Sequence, residues 1–215
     1  MMNKAQVTDF FTRLQNQNPE PKGELDYTNP YTLLVAVVLS AQATDTGVNK
    51  ATKDLFKVAD TPAKMVKLGL EGLKDFIKTI GLYNTKAKNI IALSEMLLKE
   101  HGGEVPRTRD ELVALPGVGR KTANVVLNIA FGEKVIAVDT HVFRVANRTG
   151  LAKGNTPEEI EAKLEKTIPE DFKRHAHHWL ILHGRYVCKA RRPECSQCLV
   201  EDLCAFGERK VGIEY

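Results

Sequence analysis

The sequence has no apolar stretch long enough to cross a membrane. Its longest strongly apolar run, Leu33 to Leu39, is far shorter than the ~20 residues of a transmembrane helix. The first ten residues lack both the apolar core of a secretory signal and the Arg- and Ser-rich character of a transit peptide. We therefore expect a cytoplasmic protein in a reducing compartment, with no membrane partner.

The chain also has little net charge and no low-complexity linker. Lysine and arginine total 31 against 27 for aspartate and glutamate, a formal charge of +4. This small excess does not indicate nucleic acid by itself, but it permits binding if the basic residues cluster on one face. The 215 residues suffice for one large domain or two small ones, with the best candidate hinge at 131–134.

The hydrophobic pattern is mostly helical. Residues 83–100 and 119–131 repeat apolar side chains at helical spacing, and Gly102 marks the end of the first segment. The first segment places its apolar stripe at Ala87, Ile90, Ile91, Ser94, Leu97 and Leu98, and the second at Ala123, Val126, Leu127 and Ala130. Asn29-Pro30 and Thr156-Pro157 are typical helix starts.

Two valine- or isoleucine-containing segments could form strands on composition alone. They are Leu33 to Leu39 and Lys134 to Val138. Because the remaining chain supplies too few partners for a sheet, we interpret the first as a buried helix and the second as an extended connector. The predicted fold class is therefore all-α.

A glycine hairpin separates a predicted short helix, Thr108 to Ala114, from the longer helix that follows. The turn reads Leu115-Pro116-Gly117-Val118-Gly119-Arg120. Two glycines allow positive φ and close backbone approach, and successive N–H groups at the next helix start form a phosphate site. A lone Gly-x-Gly is more often a plain turn. The complete string resembles the helix-hairpin-helix element of DNA repair glycosylases, which implies a grip on the DNA backbone by Gly117, Val118, Gly119 and Arg120.

Lys121 stands in the first turn of the helix after this hairpin. A cation there opposes the helix dipole, so the position favours the neutral amine, and partial burial would add to this. A neutral amine is a nucleophile that can form a Schiff base with a sugar carbon. For an isolated lysine the ordinary alternative is an exposed side chain that touches a phosphate.

Asp139 precedes another apolar-periodic helix, in the string Val138-Asp139-Thr140-His141. The position predicts an N-cap. A catalytic role is compatible with capping, because one carboxylate oxygen can cap while the other faces a site.

All four cysteines lie within seventeen residues, as Cys188, Cys195, Cys198 and Cys204, and none occurs elsewhere. Disulfides are not expected in a reducing compartment, so the spacing C-x6-C-x2-C-x5-C indicates either zinc or a [4Fe–4S] cluster. The loop after the first cysteine contains Lys189, Arg191 and Arg192, which we interpret as contacts to phosphates. A solvated basic loop is the alternative.

The hairpin, the string at 138–141, the segment Leu39 to Asp45 and the four cysteines resemble the endonuclease III family in order and spacing. The resemblance runs from about Asp9 to about Glu208. It implies a two-lobed helix-hairpin-helix DNA glycosylase fold with a C-terminal [4Fe–4S] cluster loop. It further implies a six-helix bundle domain over 22–132, a cluster domain formed by 1–21 plus 133–215, and a DNA-binding cleft between them.

The resemblance also implies an activity. Lys121 matches the family's nucleophile and Asp139 its catalytic carboxylate, so the chain would excise ring-saturated or fragmented pyrimidines and cut the abasic strand by β-elimination. Gln42 matches a residue that fills the space left by the flipped base, and Leu82 an apolar wedge. The cysteine spacing then favours the cluster over zinc. The expected partner is damaged or abasic double-stranded DNA, bound by a nucleoid-associated monomer.

Two further residues are candidates for supporting roles. Asp45 is either a second carboxylate near the site or a helix cap after Thr44. His141 either supports Asp139 or is an ordinary helix histidine.

Three other interpretations remain open on the sequence. The first is a mismatch glycosylase of the same superfamily without lyase activity, although such relatives carry another residue at the position of Lys121. The second is a non-catalytic DNA-binding module, and the third is a small electron-transfer protein.

Overall fold

The computed structural model describes residues 1–206 of the chain, and this part is built from α-helices joined by short loops, without a strand. The C-terminal end of the predicted cluster domain, 207–215, lies outside the described residues. Ten α-helices lie within 1–206: α1 Lys4–Gln17, α2 Pro30–Ser40, α3 Asp45–Val58, α4 Pro62–Ile77, α5 Tyr83–Glu100, α6 Arg109–Ala114, α7 Arg120–Phe131, α8 Thr140–Thr149, α9 Pro157–Thr167 and α10 Glu170–Tyr186. Two short 3-10 helices follow, Cys195–Gln197 and Glu201–Leu203.

The chain divides into two compact units. One comprises residues 24–133, and the other joins 1–23 to 134–215. The predicted division was 22–132 against 1–21 plus 133–215, and the candidate hinge at 131–134 spans the junction at 133/134. We call them the hairpin unit and the cysteine unit.

Helix α2 is the central element of the hairpin unit. Asn29 caps it with a capping box, Pro30 occupies its first turn, and every residue from Tyr31 to Leu39 is buried. A helix that is apolar on all sides must be surrounded, and α2 packs against α3, α5 and α7. The valine-rich segment is therefore a buried helix, as predicted, because its neighbours are helices that leave no strand to pair with.

The two periodic segments form α5 and α7, and most of their predicted stripe residues are buried. Three stripe residues are not buried as the pattern predicts. Leu98 is 41% exposed, and Ile91 and Ala130 are only partly buried. Leu98 and Ala130 lie in the last turns of their helices, where fewer neighbouring elements reach the helix surface. Leu93, which the pattern missed, is fully buried in α5.

The cysteine unit has an aromatic core. Phe11 of α1 stacks on Phe172, with ring centroids 5.7 Å apart, and Phe172 meets Trp179 edge-on at 6.2 Å. The Trp179 indole N–H donates to the carbonyl of Asn18 at 2.8 Å, which fixes the end of α1 against α10. The N-terminal helix is thus held by residues more than 150 positions later in the chain.

The segment 134–138 is the extended connector that the sequence predicts. It has no regular secondary structure, yet Ile136, Ala137 and Val138 are buried. The carbonyl of Ala137 lies 2.8 Å from Nδ1 of the buried His177 on α10. This hydrogen bond replaces the pairing that a buried backbone group would otherwise find in a sheet.

His178, the next residue on α10, gives the cysteine unit an acid-sensitive position. Within the described residues its Nδ1 is buried and has no hydrogen-bond partner. Burial, and secondarily the charge of His175, lowers the pKa of His178 from 6.5 to about 4. The folded chain therefore holds His178 neutral at pH values where the unfolded chain protonates it.

We expect the wild-type free energy of unfolding to fall as pH drops from 6.5 toward 4, with His178 contributing about 2 kcal/mol of the loss between pH 7.5 and 5. The His178→Gln variant should lose that part of the pH dependence, as measured by urea unfolding at the two pH values. His101→Gln, in the hairpin unit, is the matched control and should keep the wild-type slope. An unchanged slope in His178→Gln would show that this histidine does not couple folding to protons.

Within residues 1–206, none of the helices combines the length and apolar composition that crossing a bilayer would require.

Candidate functional site

The glycine hairpin has the predicted helix–turn–helix geometry. Helix α6 is capped by Thr108 and ends at Ala114, and Gly119 is the N-cap residue of α7, which begins at Arg120. Leu115 and Val118 are only 2% and 5% exposed, and the Val118 N–H donates to the Leu115 carbonyl at 3.1 Å. These two side chains anchor the turn in the core, so its glycines are held at the surface.

The two hairpin glycines are needed for different reasons. Gly117 has φ +79°, and a Cβ there would lie 2.8 Å from the side chain of Asn89 on α5. Gly119 has φ −90°, which any residue can adopt, and no atom of the described chain lies within 4 Å of where its Cβ would stand. Of the two glycines, only Gly117 uses the positive φ that a glycine allows. The missing side chain of Gly119 instead leaves open space in front of an α7 N-terminus that has no side-chain cap.

Lys121 is the second residue of α7, in its first turn as predicted, and its side chain is exposed. The partial burial considered from the sequence is absent. Arg120, one residue earlier, is exposed as well. Two cationic side chains therefore flank the open N-terminus of this helix, where bound anions are favoured.

Asp139 is the N-cap of α8 in the cysteine unit. Its Oδ1 accepts hydrogen bonds from the N–H groups of His141 and Val142, both at 2.8 Å. Its Oδ2 lies 3.3 Å from Nδ1 of His141, and only 13% of the Asp139 side chain is exposed. The N-cap prediction for Asp139 is therefore confirmed, and its second oxygen lies beside the His141 ring.

Asp45 is not a helix cap. Thr44 caps α3, with its hydroxyl accepting from the Gly47 N–H at 3.1 Å, and Asp45 is the first helical residue. A carboxylate in the first turn interacts favourably with the helix dipole. The cap prediction for Asp45 was therefore displaced by one residue, because threonine competes equally well for the position.

Gln42 and Leu82 lie in two loops of the hairpin unit, after α2 and before α5. Both side chains are exposed, and Leu82 is 61% exposed. Both have left-handed backbones, with φ 55° and 59°. A leucine that is mostly exposed on a left-handed turn buries little of its apolar surface, which makes it a candidate for contact with another molecule.

The four cysteines surround one cavity of the cysteine unit. The cavity is partly open to solvent and is also lined by His183, Pro193 and Phe206. In the part of the chain that the structure describes, no three His, Cys, Asp or Glu side chains converge closely enough for a single metal ion. Four separated thiols around a shared space fit a multi-atom cluster better than a lone zinc ion.

Two side chains that the sequence did not single out contact the cysteines. Arg148 of α8 donates to the carbonyls of Lys189 and Ala190 at 2.6 and 2.7 Å, and its Nη1 lies 3.8 Å from the Cys188 sulfur. His183 Nε2 lies 3.7 Å from the Cys198 sulfur. Neither residue belongs to a spacing motif, so only their place on helices facing the loop could reveal them.

The basic loop after Cys188 is held by hydrogen bonds from Arg148 to its backbone carbonyls. Arg191 and Arg192 are exposed, whereas Lys189 forms an ion pair with Glu194 at 3.0 Å. An exposed pair of this kind contributes little to stability, but it competes with any phosphate for Lys189. The loop therefore presents two arginines more openly than the lysine.

Comparison with known proteins identifies two matching segments. Residues 35–170 match the HhH-GPD superfamily of base excision DNA repair proteins, and residues 188–204 match the iron–sulfur binding domain of endonuclease III. The second segment begins and ends at the first and last cysteines of the cavity.

Individual relatives extend the match to nearly the whole chain. Endonuclease III of Escherichia coli K12 is 60% identical over 208 residues, covering 97% of this chain and 99% of the relative, and that of Haemophilus influenzae is 59% identical with the same coverage. A solved structure of a trapped covalent endonuclease III–DNA intermediate matches with a TM-score of 0.90 and 47% identity, over 98% of this chain and 100% of the other. A thermostable thymine-DNA glycosylase matches with a TM-score of 0.84 and 26% identity, over 95% and 98%.

Proposed function

The chain belongs to the endonuclease III family, so it is a DNA glycosylase and abasic-site lyase of base excision repair, and we propose that it acts on oxidised pyrimidines through a Schiff base at Lys121. The observation that carries the proposal is the exposed lysine in the first turn of α7, directly after a glycine hairpin with open space before it. A related endonuclease III has been trapped as a covalent intermediate with DNA, which supports a covalent mechanism.

The first step is recognition of the DNA backbone. The α7 N-terminus offers N–H groups, and the absent Gly119 side chain lets a phosphate approach them. Such contacts position the enzyme without reading sequence. Arg120, Arg191 and Arg192 add positive charge, so we expect binding to weaken as salt rises.

The second step takes the damaged nucleotide out of the duplex. Leu82 is the exposed apolar side chain that would enter the base stack, and Gln42 would occupy the space that the base leaves. A ring-saturated pyrimidine stacks poorly, because it is not planar, so it is easier to extrude than an intact base. Extrusion therefore supplies part of the selectivity.

The third step is displacement of the base. The Lys121 amine attacks C1′ of the sugar, and the bond from C1′ to the base nitrogen breaks with its electron pair going to the base. The Asp139 carboxylate stabilises positive charge developing on the sugar and accepts the proton that Lys121 loses. His141, beside Oδ2, is a positioning residue for that oxygen.

The last step cuts the strand. The sugar ring opens and leaves a protonated imine between Lys121 and C1′, which makes the C2′ proton acidic. Loss of that proton expels the 3′ phosphate from C3′, so the C3′–O bond breaks by β-elimination. Hydrolysis of the imine by water then releases Lys121.

The segment 188–204 binds a [4Fe–4S] cluster, and we propose Cys188, Cys195, Cys198 and Cys204 as its ligands. When bound, the cluster cross-links the loop through four thiolates and offers no acid, base or open coordination position to the DNA. In the free chain, burial raises the pKa of the Cys198 thiol to about 11. Hydrogen bonds from Arg148, together with cluster ligation by Cys188 and Cys195 at the two ends of the loop, would hold Arg191 and Arg192 in place.

The glycine pair gives a direct test of the backbone grip. Gly119→Ala should leave the thermal midpoint within a few degrees, because its φ suits alanine and its surroundings are open, yet weaken binding to an abasic-analogue duplex by about tenfold. Fluorescence anisotropy at fixed salt measures the affinity. Gly117→Ala should instead lower stability by about 2 kcal/mol, since it combines a positive φ with a contact against Asn89.

Equal stability losses in the two variants would contradict this division of roles. Normal affinity in Gly119→Ala would show that no phosphate approaches that position.

The reaction class is tested with the wild-type protein. A duplex holding one thymine glycol is incubated with the protein and borohydride, beside an undamaged duplex and an adenine-mismatch duplex. We expect a covalent adduct on a denaturing gel with thymine glycol only. Base release without an adduct would indicate a glycosylase that lacks the lysine step, and binding without either product would indicate a non-catalytic DNA-binding protein.

We further propose that the protein works as a monomer on the cytoplasmic nucleoid. One enzyme can process one lesion, and the relatives are DNA repair enzymes. Sedimentation at micromolar concentration, with and without lesion duplex, tests the monomer.

A further inference from the structure

The strained backbone of the hairpin unit is concentrated in one place. In the part of the chain that the structure describes, Gln42 and Leu82 are the non-glycine residues with positive φ. This conformation is unfavourable for a residue that bears a side chain and persists only where the surroundings impose it. The two loops are neighbours, because a Cβ on Gly81 would stand 3.9 Å from the Gln42 carbonyl oxygen.

A buried lysine joins the elements that carry these two residues. Lys86, in the first turn of α5, is 5% exposed, and its Nζ donates to the Leu39 carbonyl at 2.9 Å. Its own backbone N–H donates to the Leu82 carbonyl at 3.1 Å. Lys86 is therefore bonded at one end to the turn of Leu82 and at the other to α2, three residues before Gln42.

The hydrogen bond falls where α2 needs one. The last turn of α2 contains no basic residue, and no capping bond from Ala41 closes it. The final carbonyls of a helix lack intrahelical partners and carry partial negative charge. The Lys86 ammonium satisfies one of them, so it completes the end of α2 from another helix.

Placing this amine in the interior is costly. Among the described residues no carboxylate pairs with it, and burial lowers its pKa. A methionine of similar length would fill the same space without that cost. A buried lysine at this position is explained by its hydrogen bond rather than by packing.

We propose that Lys86 is a positioning residue for DNA insertion, which holds Gln42 and Leu82 together in their strained conformations so that both enter the duplex as a unit. The proposal rests on the roles given above to these two residues. It concerns a step before the chemistry, so it can be measured on DNA that cannot react.

The test compares Lys86→Met with Lys88→Met, an exposed lysine on the same helix. The probe is a duplex with a tetrahydrofuran abasic analogue opposite 2-aminopurine, whose fluorescence rises when that base is unstacked. At saturating protein we expect Lys86→Met to give less than half of the wild-type rise and Lys88→Met to give all of it. The thermal midpoint of Lys86→Met should stay within a few degrees of that of the wild type, because removal of a buried charge offsets the loss of the hydrogen bond to the Leu39 carbonyl.

Borohydride trapping adds a second readout. On an abasic duplex, capture by Lys86→Met should be about tenfold slower, because misplaced inserting groups delay extrusion. On a single-stranded abasic oligonucleotide, which needs no wedge, its rate should stay within about twofold of the wild type. In a Gln42→Ala/Leu82→Ala background, Lys86→Met should cause little further loss, since residues that act through one another are not additive.

A wild-type fluorescence rise in Lys86→Met overturns the inference, as does a parallel loss of thermal stability and of capture on both substrates. The inference is also overturned if Lys86→Met slows capture in the Gln42→Ala/Leu82→Ala background by the same factor as it does in the wild type. If the wild type itself is not trapped on either abasic substrate, the proposed function fails instead, and the fluorescence comparison still decides the role of Lys86.

Discussion

Replacing Lys121 by alanine is expected to abolish borohydride capture on abasic DNA and to slow strand cleavage by on the order of a thousandfold or more, because the proposed imine forms at the amine that this change removes. The side chain is exposed, so its removal should leave the fold intact. Affinity for an unreactive abasic analogue should change by less than about threefold, since the backbone N–H groups of α7 remain in place. Gel assays of capture and cleavage, with anisotropy for binding, measure the three quantities.

The matched control is Lys88→Ala, another exposed lysine of the hairpin unit. It should capture and cleave like the wild type. Residual capture by Lys121→Ala above about one per cent of the wild-type rate would assign the nucleophile to another amine. A large loss of affinity without a change in the rate at saturation would make Lys121 a phosphate contact only.

Replacing Asp139 by asparagine is expected to lower the single-turnover rate of base release by about 100-fold while leaving stability almost unchanged. Asparagine is as good an N-cap as aspartate, so its side-chain oxygen can still accept from the His141 and Val142 N–H groups. What disappears is the negative charge on the second oxygen. The variant therefore separates electrostatic catalysis from helix capping.

Asp139→Ala provides the comparison, because it removes charge and cap together. It should lose a similar factor in rate and in addition about 1 kcal/mol in the free energy of unfolding. Single-turnover assays measure the rate of base release by both variants, and urea unfolding measures their free energies of unfolding. Full activity in Asp139→Asn would leave Asp139 with a capping role alone.

The elements that the sequence predicts best are those governed by local rules. Asn29-Pro30 and Thr156-Pro157 begin helices because a capping side chain and a fixed proline φ act within a few residues. The Asp139 cap follows from the same rule. We predicted an all-α fold because the chain offers too few segments that could pair as strands. The same argument correctly predicts that the valine-rich segment forms the helix α2.

What the sequence could not predict depends on residues distant in the chain. In the sequence, Lys86 resembles any surface lysine. In the fold it is buried and donates a hydrogen bond to the carbonyl of Leu39, 47 residues earlier, at the end of α2. Arg148 reaches the loop carbonyls 41 and 42 positions later. The sequence also does not show that Gly117 needs its positive φ whereas Gly119 does not, because a glycine in a sequence does not reveal whether strain, crowding or a ligand requires it.

The cysteine unit is built from two separate segments of the chain, so its folding depends on the order in which they are synthesised on the ribosome. Residues 24–133 form a contiguous unit that can complete its core as soon as it has emerged, whereas α1 waits for α10. At roughly 5–20 residues per second, the intervening chain takes on the order of ten to thirty seconds to make. During that interval Phe10 and Phe11, both fully buried at the end, have no partners in α10 to cover them. Helix α1, although made before α10, is thus among the last elements of its unit to fold, and its aromatic face stays uncovered until α10 emerges.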